Sequence, residues 1–587
     1  MAVGLLALIG AGSMFCAPAA GRWVDRLGAD RVNLWCALAA LAAAAVLTGD
    51  SLGGAPGLVA LAAGLLLLDV AVQCGNPYPD RGVDRTATGA GRSARLVRGA
   101  GAVRRMDDGE LVTAVRRGDA KAVRRALEGG ASPDAAAEDG LPVLCLAVAG
   151  YDTAVAKVLV EGGADQDRRL PDGTTPLLRA VDSGSPSLVA AVLGREPRLR
   201  LPEADRAQLL AVTRDWYERG AEEVLRERTN ATGPATHVRV MDDEFDHVTE
   251  LTLGGHRVRA GHGAILTDLE WAFRVLTPVD ELVARAVGAG DRRHVDWSSV
   301  QSVFRQRRSR QTWSALTAYR RAPAREARLF VLDALNMSLL SWHRPRDSHE
   351  QEMTHLLLSW ADEGEEDSEV LAELLYTLSE TMCSESAGVG LGFVGHRDPR
   401  VRARAASLLL DRGTARPSLD VTARTALLAL AADRDPGVRA EAGSVLCLAH
   451  DKSDTVTAAV VKSLRDPEAS VRGAVADTLA DLRNCDGGCG VCAGPPGAVA
   501  DALVALLDEE DFLTRLNAAY VLVRRDDPRA GEAIERVGPP PGPGFAIDHR
   551  LSALWTWQRE QGEPSAPVAL QPSSASAPGS GEAGDLV

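Results

Sequence analysis

At 587 residues the chain is long enough for several domains, and only 4% of its residues are aromatic. Its apolar residues are mostly Ala, Leu and Val, a composition that favours helices packed on helices over β-sheets. The formal net charge of −15 argues against a nucleic-acid-binding protein, because phosphate binding needs a clustered positive surface.

The first 75 residues differ from the rest of the chain in hydropathy. Residues 2–21 and 32–49 contain no charged residue, and residues 51–75 contain only Asp69. Each stretch is close to the length of a membrane-spanning helix. No basic residue precedes the first stretch, which makes it a poor match to a secretory signal peptide. We therefore predict about three transmembrane helices within residues 1–75.

A charged loop separates the first two apolar stretches and contains, in order, Gly21, Asp25, Arg26, Gly28 and Arg31. This spacing resembles the signature cytoplasmic loop between helices two and three of major facilitator superfamily transporters. The resemblance implies that Asp25 and Arg26 match the charged residues that take part in conformational switching. That family uses about a dozen helices, and the sequence after this segment shows no further span. Transport is therefore not predicted, and the segment is interpreted as a transporter-like fragment.

Residues 76–105 are rich in Gly and Arg, lack periodicity, and form either a linker or a misassigned region. Two interpretations of the N-terminus remain open. Residues 1–75 are a truncated transporter remnant that anchors the protein in the membrane, or the coding start is misassigned and the functional protein begins at or near Met106. Under both interpretations we expect the following repeats to lie in the cytoplasm.

A period of 33 residues organises the next segment. The pair Ala-Val occurs at 114–115, 147–148 and 180–181, and Gly-Gly-Ala occurs at 129–131 and again at 162–164. A fixed period of this length is typical of a stacked repeat array, in which each unit cannot bury its apolar face alone. The array presents a surface for binding and does not by itself form a catalytic pocket.

The turn and helix-start residues of this period identify the repeat type. Asp139-Gly140 recurs as Asp172-Gly173, and glycine after Asp favours a tight turn. The helix start Thr175, Pro176 and Leu177 resembles the Thr-Pro-Leu motif of ankyrin repeats. We predict ankyrin repeats over residues 106–200, with a polar capping repeat first; a generic stack of helical hairpins is the alternative. Asp139 and Asp172 are the candidate interaction residues.

Residues 201–320 show no clear repeat and are predicted to form a helical linking domain. Alternating residues at 236–241 and 249–259 predict a two-stranded hairpin within it. We expect the acidic run 242–244 to lie on the surface. His256 and His262 are close in sequence, and we expect both to be solvated rather than metal ligands.

One basic run, Arg305 to Arg310, stands out in the acidic chain. It is either a nucleic-acid-binding face or a solvated stretch of helix. The net charge favours the second interpretation, so no nucleic-acid partner is expected.

The last third of the chain carries a second repeat, in which an Asp-Pro pair precedes a Val-Arg pair. Asp caps the free N–H groups of a helix start, and Pro is tolerated in the first turn. The defining residues are Asp398, Pro399, Arg402, Asp435, Pro436, Arg439, Asp466, Pro467 and Arg472, of which the last three belong to a looser copy with two extra residues.

This second pattern resembles the short HEAT-like repeats named after phycobilisome lyases. The resemblance implies HEAT-like repeats over residues 321–536, with divergent copies in 321–395 and a degenerate copy at 508–522 that contains Arg515. We expect the repeat arginines to contact the Asp of a neighbouring repeat. The family name raises a bilin-lyase-like enzyme as an alternative function.

Three cysteines, Cys485, Cys489 and Cys492, lie in a Gly-rich loop. Their spacing matches the iron–sulfur motif of radical S-adenosylmethionine enzymes, but they interrupt a helical repeat instead of following a barrel strand. Three thiolates with Cys447 or His450 as a fourth ligand would form a zinc site. The alternative is a redox-sensitive or inert loop. Nine cysteines without an even framework fit a reducing compartment.

The sequence as a whole predicts an all-α, two-part helical solenoid with a Pro/Gly/Ser-rich, mostly disordered tail at 537–587. We find no phosphate-binding Gly-rich loop, no Gly-x-Ser-x-Gly turn and no His-Glu-x-x-His helix. We therefore predict a non-catalytic scaffold that binds other proteins through its repeats and needs no cofactor. A membrane protein with a transporter-like anchor is the alternative.

Overall fold

The structure is a computed structural model that describes residues 108–561, except 308, 340–347, 382, 412–416, 452 and 482–495. The chain divides into two compact units, Met1–Gly101 and Ala102–Val587, and every described residue belongs to the second. The apolar stretches, the transporter-like loop and Met106 lie outside the described residues. Each helix in the described part is too short or too polar to cross a bilayer.

Three helix pairs follow the 33-residue period. They are α1 (Asp108–Arg116) with α2 (Ala120–Glu128), α3 (Val143–Ala149) with α4 (Thr153–Glu161), and α5 (Pro176–Ser183) with α6 (Pro186–Leu193). The second helix of each pair begins at a capping side chain in the same phase, namely Asp119, Asp152 and Ser185. Each cap accepts a hydrogen bond from the N–H group three residues later, which satisfies a donor that the helix cannot.

The turn inside each pair needs left-handed backbone at one position. Gly118 and Gly184 occupy it in the first and third pairs, with φ of 68° and 72°. The second pair has Tyr151 at the equivalent position, with φ of 57°. An aromatic residue is disfavoured in this conformation, so contacts of the Tyr151 side chain must offset the strain.

The predicted linking domain continues the stack. After the short helix α7 (Pro197–Arg200), α8 (Glu203–Arg219) packs on α5, and α10 (His262–Ala272) packs on α6. The apolar core of the ankyrin pairs therefore extends without a break into Leu209, Ile265 and Leu269.

Between these two helices lie α9 (Ala221–Thr229) and an antiparallel sheet in the order β1 (Thr236–Met241), β2 (His247–Leu253) and β3 (His256–Arg259). The all-α prediction is therefore incomplete, because the structure contains a sheet. The predicted hairpin has two strands, whereas the sheet has three. Gly254 and Gly255 have φ of 56° and 79°, and they fold the predicted second strand back on itself. Leu251 then pairs with Val258 across β2 and β3.

The remaining helices continue to residue 560. They are α11 (Val279–Gly288), α12 (Val295–Gln306), α13 (Arg310–Ala318), α14 (Arg325–Leu339), α15 (Ser348–Glu363), α16 (Ser368–Glu380), α17 (Ser386–Phe393), α18 (Pro399–Leu408), α19 (Val421–Leu430), α20 (Pro436–Leu448), α21 (Asp454–Ser463), α22 (Ala469–Asp481), α23 (Pro496–Ala505), α24 (Phe512–Arg524), α25 (Ala530–Val537) and α26 (His549–Glu560). Short 3₁₀ turns occur at Tyr319–Arg321, Leu506–Asp508 and Pro543–Ile547.

The helices from α8 onward form two rows. Even-numbered helices from α8 to α26 contact one another in order along the stack. Odd-numbered helices pack against an even-numbered neighbour, except α13, which packs against α11. The helix α26 packs on α24 and buries Leu551 and Leu554. Within the segment predicted to be mostly disordered, 537–587, residues up to Gln561 are described and include the helix α26; residues 562–587 lie outside the described residues.

Candidate interaction surfaces

Two turns project from the ankyrin pairs, and each is organised by its own aspartate. Asp139 Oδ1 accepts a hydrogen bond from the Leu141 N–H at 3.0 Å. Asp172 Oδ1 accepts hydrogen bonds from the Thr174 N–H at 2.9 Å and from its hydroxyl at 2.7 Å. These bonds lower the pKa of Asp172 to about 2. Both predicted interaction residues are exposed, but the bonds observed for their carboxylates shape the turns.

The turns are also held to the neighbouring repeat. Asp108 Oδ1 accepts from the Ser132 N–H at 2.8 Å, and Asp134 Oδ1 accepts from the Asp165 N–H at 2.7 Å. Such bonds fix each loop before any partner binds, which lowers the entropy lost on binding. We call the tips, residues 138–140 and 168–173, the finger surface; all of these residues are exposed except Leu170, which is buried.

The sheet is docked on the ankyrin pairs through Tyr151. Its hydroxyl donates to the carbonyl oxygens of Ser183 at 3.0 Å and Arg257 at 3.2 Å. The guanidinium groups of Arg257 and Arg259 lie 4.6 and 4.5 Å from the centre of its ring. Burial raises the pKa of Tyr151 to about 12, so the hydroxyl stays a donor at neutral pH. These contacts account for a tyrosine in left-handed backbone where the other pairs have glycine.

A buried ion pair completes this junction and corrects the prediction for the acidic run. Asp242 is buried, and its Oδ1 accepts from Arg259 at 2.9 Å and from the Ser185 hydroxyl at 2.6 Å. Asp243 and Glu244 are exposed, as expected. The first residue of the run therefore joins the sheet to the third ankyrin pair, a contact that sequence spacing could not reveal.

His262 also differs from its prediction. It is buried at the start of α10, and its ring stacks on Trp216 with centroids 4.7 Å apart. Its Nε2 lies 3.1 Å from the Val181 carbonyl oxygen. Burial lowers its pKa to about 3, so the ring is neutral at physiological pH. His256 lies apart from it in β3 and is exposed.

A layer of buried polar groups lies where α10 meets α11 and α12. Arg285 is 1% exposed, and its Nη1 donates to Glu270 Oε2 at 2.7 Å. The Thr277 hydroxyl donates to the same oxygen at 2.6 Å, and Arg214 Nη2 donates to Glu270 Oε1 at 2.6 Å. One apolar core ends at Phe273 and the next begins at Leu282, so this layer separates them.

Asp296, in the first turn of α12, is the most perturbed carboxyl of this region. Its Oδ1 is buried and has no hydrogen-bond partner, and its Oδ2 lies 3.5 Å from His294 Nδ1. Burial raises its pKa to about 7, against the opposing effects of the Ala264 N–H and Arg285. Perturbed carboxyls of this kind mark functional sites as well as structural networks. The carboxyl packs against Gly263, where a side chain on that residue would displace it.

The second repeat is held by a ladder of arginines. Arg402 donates to Asp433 at 2.7 and 2.8 Å, Arg439 donates to Asp466 with both bonds at 2.8 Å, and Arg472 Nε donates to Glu509 at 2.7 Å. Each arginine also donates from Nη1 to the carbonyl oxygens five and six residues before it. Two acceptors are aspartates of the next repeat and the third is a glutamate.

The ladder corrects the alignment of the third copy. Asp398 and Asp435 cap α18 and α20, as predicted. Asp466 instead pairs with Arg439, in the way that Asp433 pairs with Arg402, and helix α22 begins only at Ala469. Asp466 is therefore equivalent to Asp433, two residues before the capping position, and not to the caps Asp398 and Asp435. With this alignment the third copy has no extra residues before Arg472.

Two further rungs extend the ladder. Arg328 Nη1 donates to the carbonyl oxygens of Ala322 and Pro323, and its Nε donates to Glu365 at 3.1 Å. Arg515 Nη1 donates to the carbonyl oxygens five and six residues before it, in the degenerate copy. Arg328 carries no repeat signal in the sequence, because neither an Asp-Pro pair nor a Val precedes it.

The described arginines of the basic run, Arg305, Arg307 and Arg310, do not form one face. Helix α12 ends at Gln306, and the buried Arg307 donates to the Thr277 carbonyl oxygen at 2.6 Å. Arg310 begins the next helix and lies 2.8 Å from Glu352. The solvated-helix interpretation is therefore also wrong for Arg307, whose charge lies inside the stack.

The candidate metal ligands are not brought together in the described residues. Cys485, Cys489 and Cys492 lie outside those residues, and Cys447 is buried in the apolar core. Among the described side chains, no group of three or more His, Cys, Asp or Glu is arranged to hold a metal ion. Zinc binding stays a sequence prediction.

An open groove of about 510 Å³ lies between the sheet and the start of α9. Its charged lining is internally paired: Arg226 with Glu222 at 2.6 Å, and His237 with Glu222 at 3.2 Å. Arg219 pairs with Glu223 at 3.2 Å. This arrangement stabilises the α8–α9 corner and leaves no acid–base pair directed at the groove.

Comparison with protein families covers the first of these arrays. Among curated proteins, none matches the chain. Residues 111–200 match the family described as ankyrin repeats, in three copies, and this range contains the finger surface and most of the helix pairs α1–α6. This segment of the chain is therefore an array of three ankyrin repeats.

Proposed function

We propose that the protein is a non-catalytic scaffold that binds other proteins. The observation that carries this proposal is the three-copy ankyrin array, because stacked ankyrin repeats are interaction modules that expose an extended binding surface. The partner would be recognised by side chains of the finger surface and of the first helices of each pair.

The geometry of the fingers supports a pre-formed binding surface. The turn bonds of Asp139 and Asp172 and the inter-repeat bonds of Asp108 and Asp134 hold the backbone in place. Exposed tip residues, among them Glu138 and Arg168, are then free of these structural roles and present charges of both signs. A partner with complementary charges would be selected by charge pairing at the tips and held by contacts behind them.

We further propose that the helices of residues 321–536 are HEAT-like repeats. The ladder supports this assignment, because Arg328, Arg402, Arg439, Arg472 and Arg515 make the same contacts to the carbonyl oxygens five and six residues before them. An array of this kind would act as a rigid extension that places a second partner at a fixed distance from the first.

The test is affinity capture with the full chain and two charge-swapped variants. The finger variant carries Glu138→Lys and Arg168→Glu, and the control carries Arg434→Glu and Glu468→Lys, which are also exposed and also leave the net charge unchanged. We expect at least one protein to be captured by the wild type and the control and to be lost from the finger variant. Capture of the same proteins by all three chains contradicts binding at the fingers, and loss from the control alone assigns the binding site to the HEAT-like repeats.

A further inference from the structure

The strand β1 is an uncovered edge of the sheet. The opposite edge strand, β3, packs on α5 and α9, whereas β1 packs mainly against β2, and five of its six residues are exposed. Apolar side chains are among them: Val238 and Met241 of β1, and Phe245 of the turn after it, are each at least half exposed. Backbone and apolar surface are therefore available to a partner at the same place.

The hydrogen-bond pattern turns N–H and C=O groups of β1 away from the sheet. In an antiparallel pair, both groups of one residue face the same side, and successive residues alternate. The carbonyl oxygen of Thr249 accepts from the Ala260 N–H on the β3 side at 2.8 Å, so its β1 partner Arg239 faces outward. His237 and Met241 lie in the same phase. No hydrogen bond joins the outward backbone groups of these three residues to any other described residue.

The strand β1 also lacks the features that usually keep a free edge from pairing. Such edges commonly carry lysine, proline or a bulge. Residues 236–241 contain neither lysine nor proline, and their pairing with β2 runs through all six positions without a bulge. The one arginine of the strand, Arg239, directs its guanidinium to Asp291 at 3.0 Å and to His247 at 3.1 Å in its own chain. The edge is therefore accessible to another strand.

The charges of this segment are complementary to those of a second copy of the same segment. Its first half carries His237 and Arg239, and the turn that follows carries Asp243 and Glu244. All four side chains are exposed. An antiparallel pairing of two copies about a twofold axis brings the basic half of each beside the acidic end of the other. A strand from another protein would use the same backbone groups, but this match of charges favours a second copy.

The charges also limit the register of such a pairing. The backbone groups that face outward belong to His237, Arg239 and Met241. Placing Arg239 opposite its own copy or opposite His237 sets basic side chains side by side, which destabilises a sheet. Placing Arg239 opposite Met241 avoids this contact and sets His237 opposite Asp243. A larger shift would require the Asp243 N–H, which already bonds the Asp246 carbonyl oxygen in the turn.

We propose that two copies of this chain associate through β1, antiparallel and in this register, so that their sheets join into one. Arg239 of each copy exchanges both backbone hydrogen bonds with Met241 of the other, and Val240 lies opposite its own copy on the twofold axis. The interface is small, so we expect a reversible dimer with a dissociation constant on the order of 10 μM. The dimer carries two finger surfaces and would hold a bivalent partner more tightly than one copy does. The association itself does not rest on the proposed function.

The first experiment measures the dissociation constant of the full chain by analytical ultracentrifugation in a mild non-ionic detergent. Two variants change one exposed residue: Met241→Arg places an arginine opposite Arg239 of the other copy, and Met241→Glu places a carboxylate there. We expect the dissociation constant of Met241→Arg to be at least about tenfold higher than that of Met241→Glu. The net charge of −15 opposes this order, because an added positive charge reduces the repulsion between two acidic chains.

The matched controls are Leu276→Arg and Leu276→Glu, which make the same changes of charge on another exposed apolar residue. We expect their dissociation constants to differ by less than about threefold. A chain that stays monomeric up to about 100 μM overturns the proposal. Equal weakening by Met241→Arg and Met241→Glu also overturns it, because the edge would then bind through apolar contact alone.

The second experiment tests the register by disulfide formation under a mild oxidant. In the proposed dimer the β-carbons at position 240 lie about 5 Å apart, so Val240→Cys should form a disulfide with its own copy. Thr236→Cys is the control on the same face of the strand, since position 236 lies about 27 Å from its own copy. Peptide mapping distinguishes these disulfides from those of the nine native cysteines.

Absence of the disulfide at position 240, or an equal yield at position 236, overturns the proposed pairing. Thermal melts verify that each variant folds. If Val240→Cys does not fold, the order of the two Met241 variants decides, because Met241 is exposed and its replacement leaves the packed side of the sheet unchanged.

Discussion

Arg439 donates two parallel hydrogen bonds to Asp466, from Nε to Oδ2 and from Nη2 to Oδ1, and both are 2.8 Å long. The arginine belongs to α20 and the aspartate precedes α22, so the pair joins successive even-numbered helices. The hydrogen bonds from Arg439 lower the pKa of Asp466, which keeps the carboxylate ionised. The same relationship joins Arg402 to Asp433 one repeat earlier, so the ladder acts along the stack rather than at one point.

The first prediction concerns the pair of Arg439 and Asp466. Arg439→Lys removes the bidentate contact with Asp466 and the bonds to the carbonyl oxygens of Asp433 and Arg434. A lysine ammonium group cannot reach all four of these acceptors. Asp466 is left mostly buried, and we expect the free energy of unfolding to fall by about 2 kcal/mol. Urea denaturation measures the change. The neighbouring Arg434→Lys, on an exposed side chain, should be neutral, and equal effects of the two substitutions would refute the ladder.

The second prediction concerns the fit between the sheet and the third ankyrin repeat. A methyl group on Gly184 would overlap the Arg259 carbonyl oxygen and crowd His262, in addition to the strain of a φ of 72°. We expect Gly184→Ala to destabilise the protein by at least about 3 kcal/mol. Gly140→Ala is the control, since φ there is 80° and no atom lies within 4 Å, so only about 1 kcal/mol of strain is expected. Chemical denaturation measures the free energy of unfolding of both variants. An equal loss for Gly184→Ala and Gly140→Ala would contradict the close packing of the sheet on the third ankyrin repeat.

The third prediction uses the carboxyl of Asp296, whose pKa is raised to about 7. The folded state retains this proton between about pH 4 and pH 7 while the unfolded state releases it, so the stabilising effect is present at low pH and is lost as the pH rises through 7. Asp296→Asn mimics the protonated form. We therefore expect the variant to melt at a higher temperature than the wild type at pH 8 and at a similar temperature at pH 4.

The control for this effect is Asp243→Asn, which alters an exposed carboxyl in the turn after β1. Its melting temperature should track that of the wild type from pH 4 to pH 8, apart from a constant offset, because an amide oxygen accepts the turn bonds from Phe245 and Asp246 more weakly than a carboxylate. A wild-type melting profile that Asp296→Asn leaves unchanged would exclude a buried, protonated Asp296.

The fourth prediction concerns the polar layer between the two apolar cores. Glu270→Gln removes the charge that balances Arg285, which is 1% exposed. Breaking a buried ion pair leaves an uncompensated charge, and the expected cost is about 3 kcal/mol. Calorimetry or urea denaturation measures it, with the exposed Glu281→Gln as the comparison, since that carboxylate also contacts Arg285 but is half solvated. A smaller effect at Glu270 than at Glu281 would contradict the account.

The period of the sequence predicts the ankyrin array because its turns and caps are local. Thr175 caps α5 and the Asp-Gly turns form where expected, since each depends on neighbours a few residues away. The side-chain bonds between repeats are not local. Asp466 looks like a cap in sequence and proves to be the partner of Arg439, because the helix start moves by two residues when Glu468 replaces a cap.

The junction of the sheet could not be predicted for a related reason. Asp242 and His262 look solvated in sequence, one in an acidic run and the other near a second histidine. Both are buried because their partners, Arg259, Ser185 and Trp216, come from other elements. Only the left-handed position that Tyr151 shares with Gly118 and Gly184 gives a sequence signal, since a tyrosine at a glycine position indicates a special contact.

The central claim is that the finger surface binds a protein partner and that the rest of the stack is a rigid support. Hydrogen–deuterium exchange on the full chain, with and without a partner obtained by capture, tests it most directly. We expect the partner to slow exchange at residues 132–142 and 165–175 and to leave exchange in α18, α20 and α22 unchanged. Protection confined to the helices of the ladder, with unchanged exchange in both fingers, would contradict it.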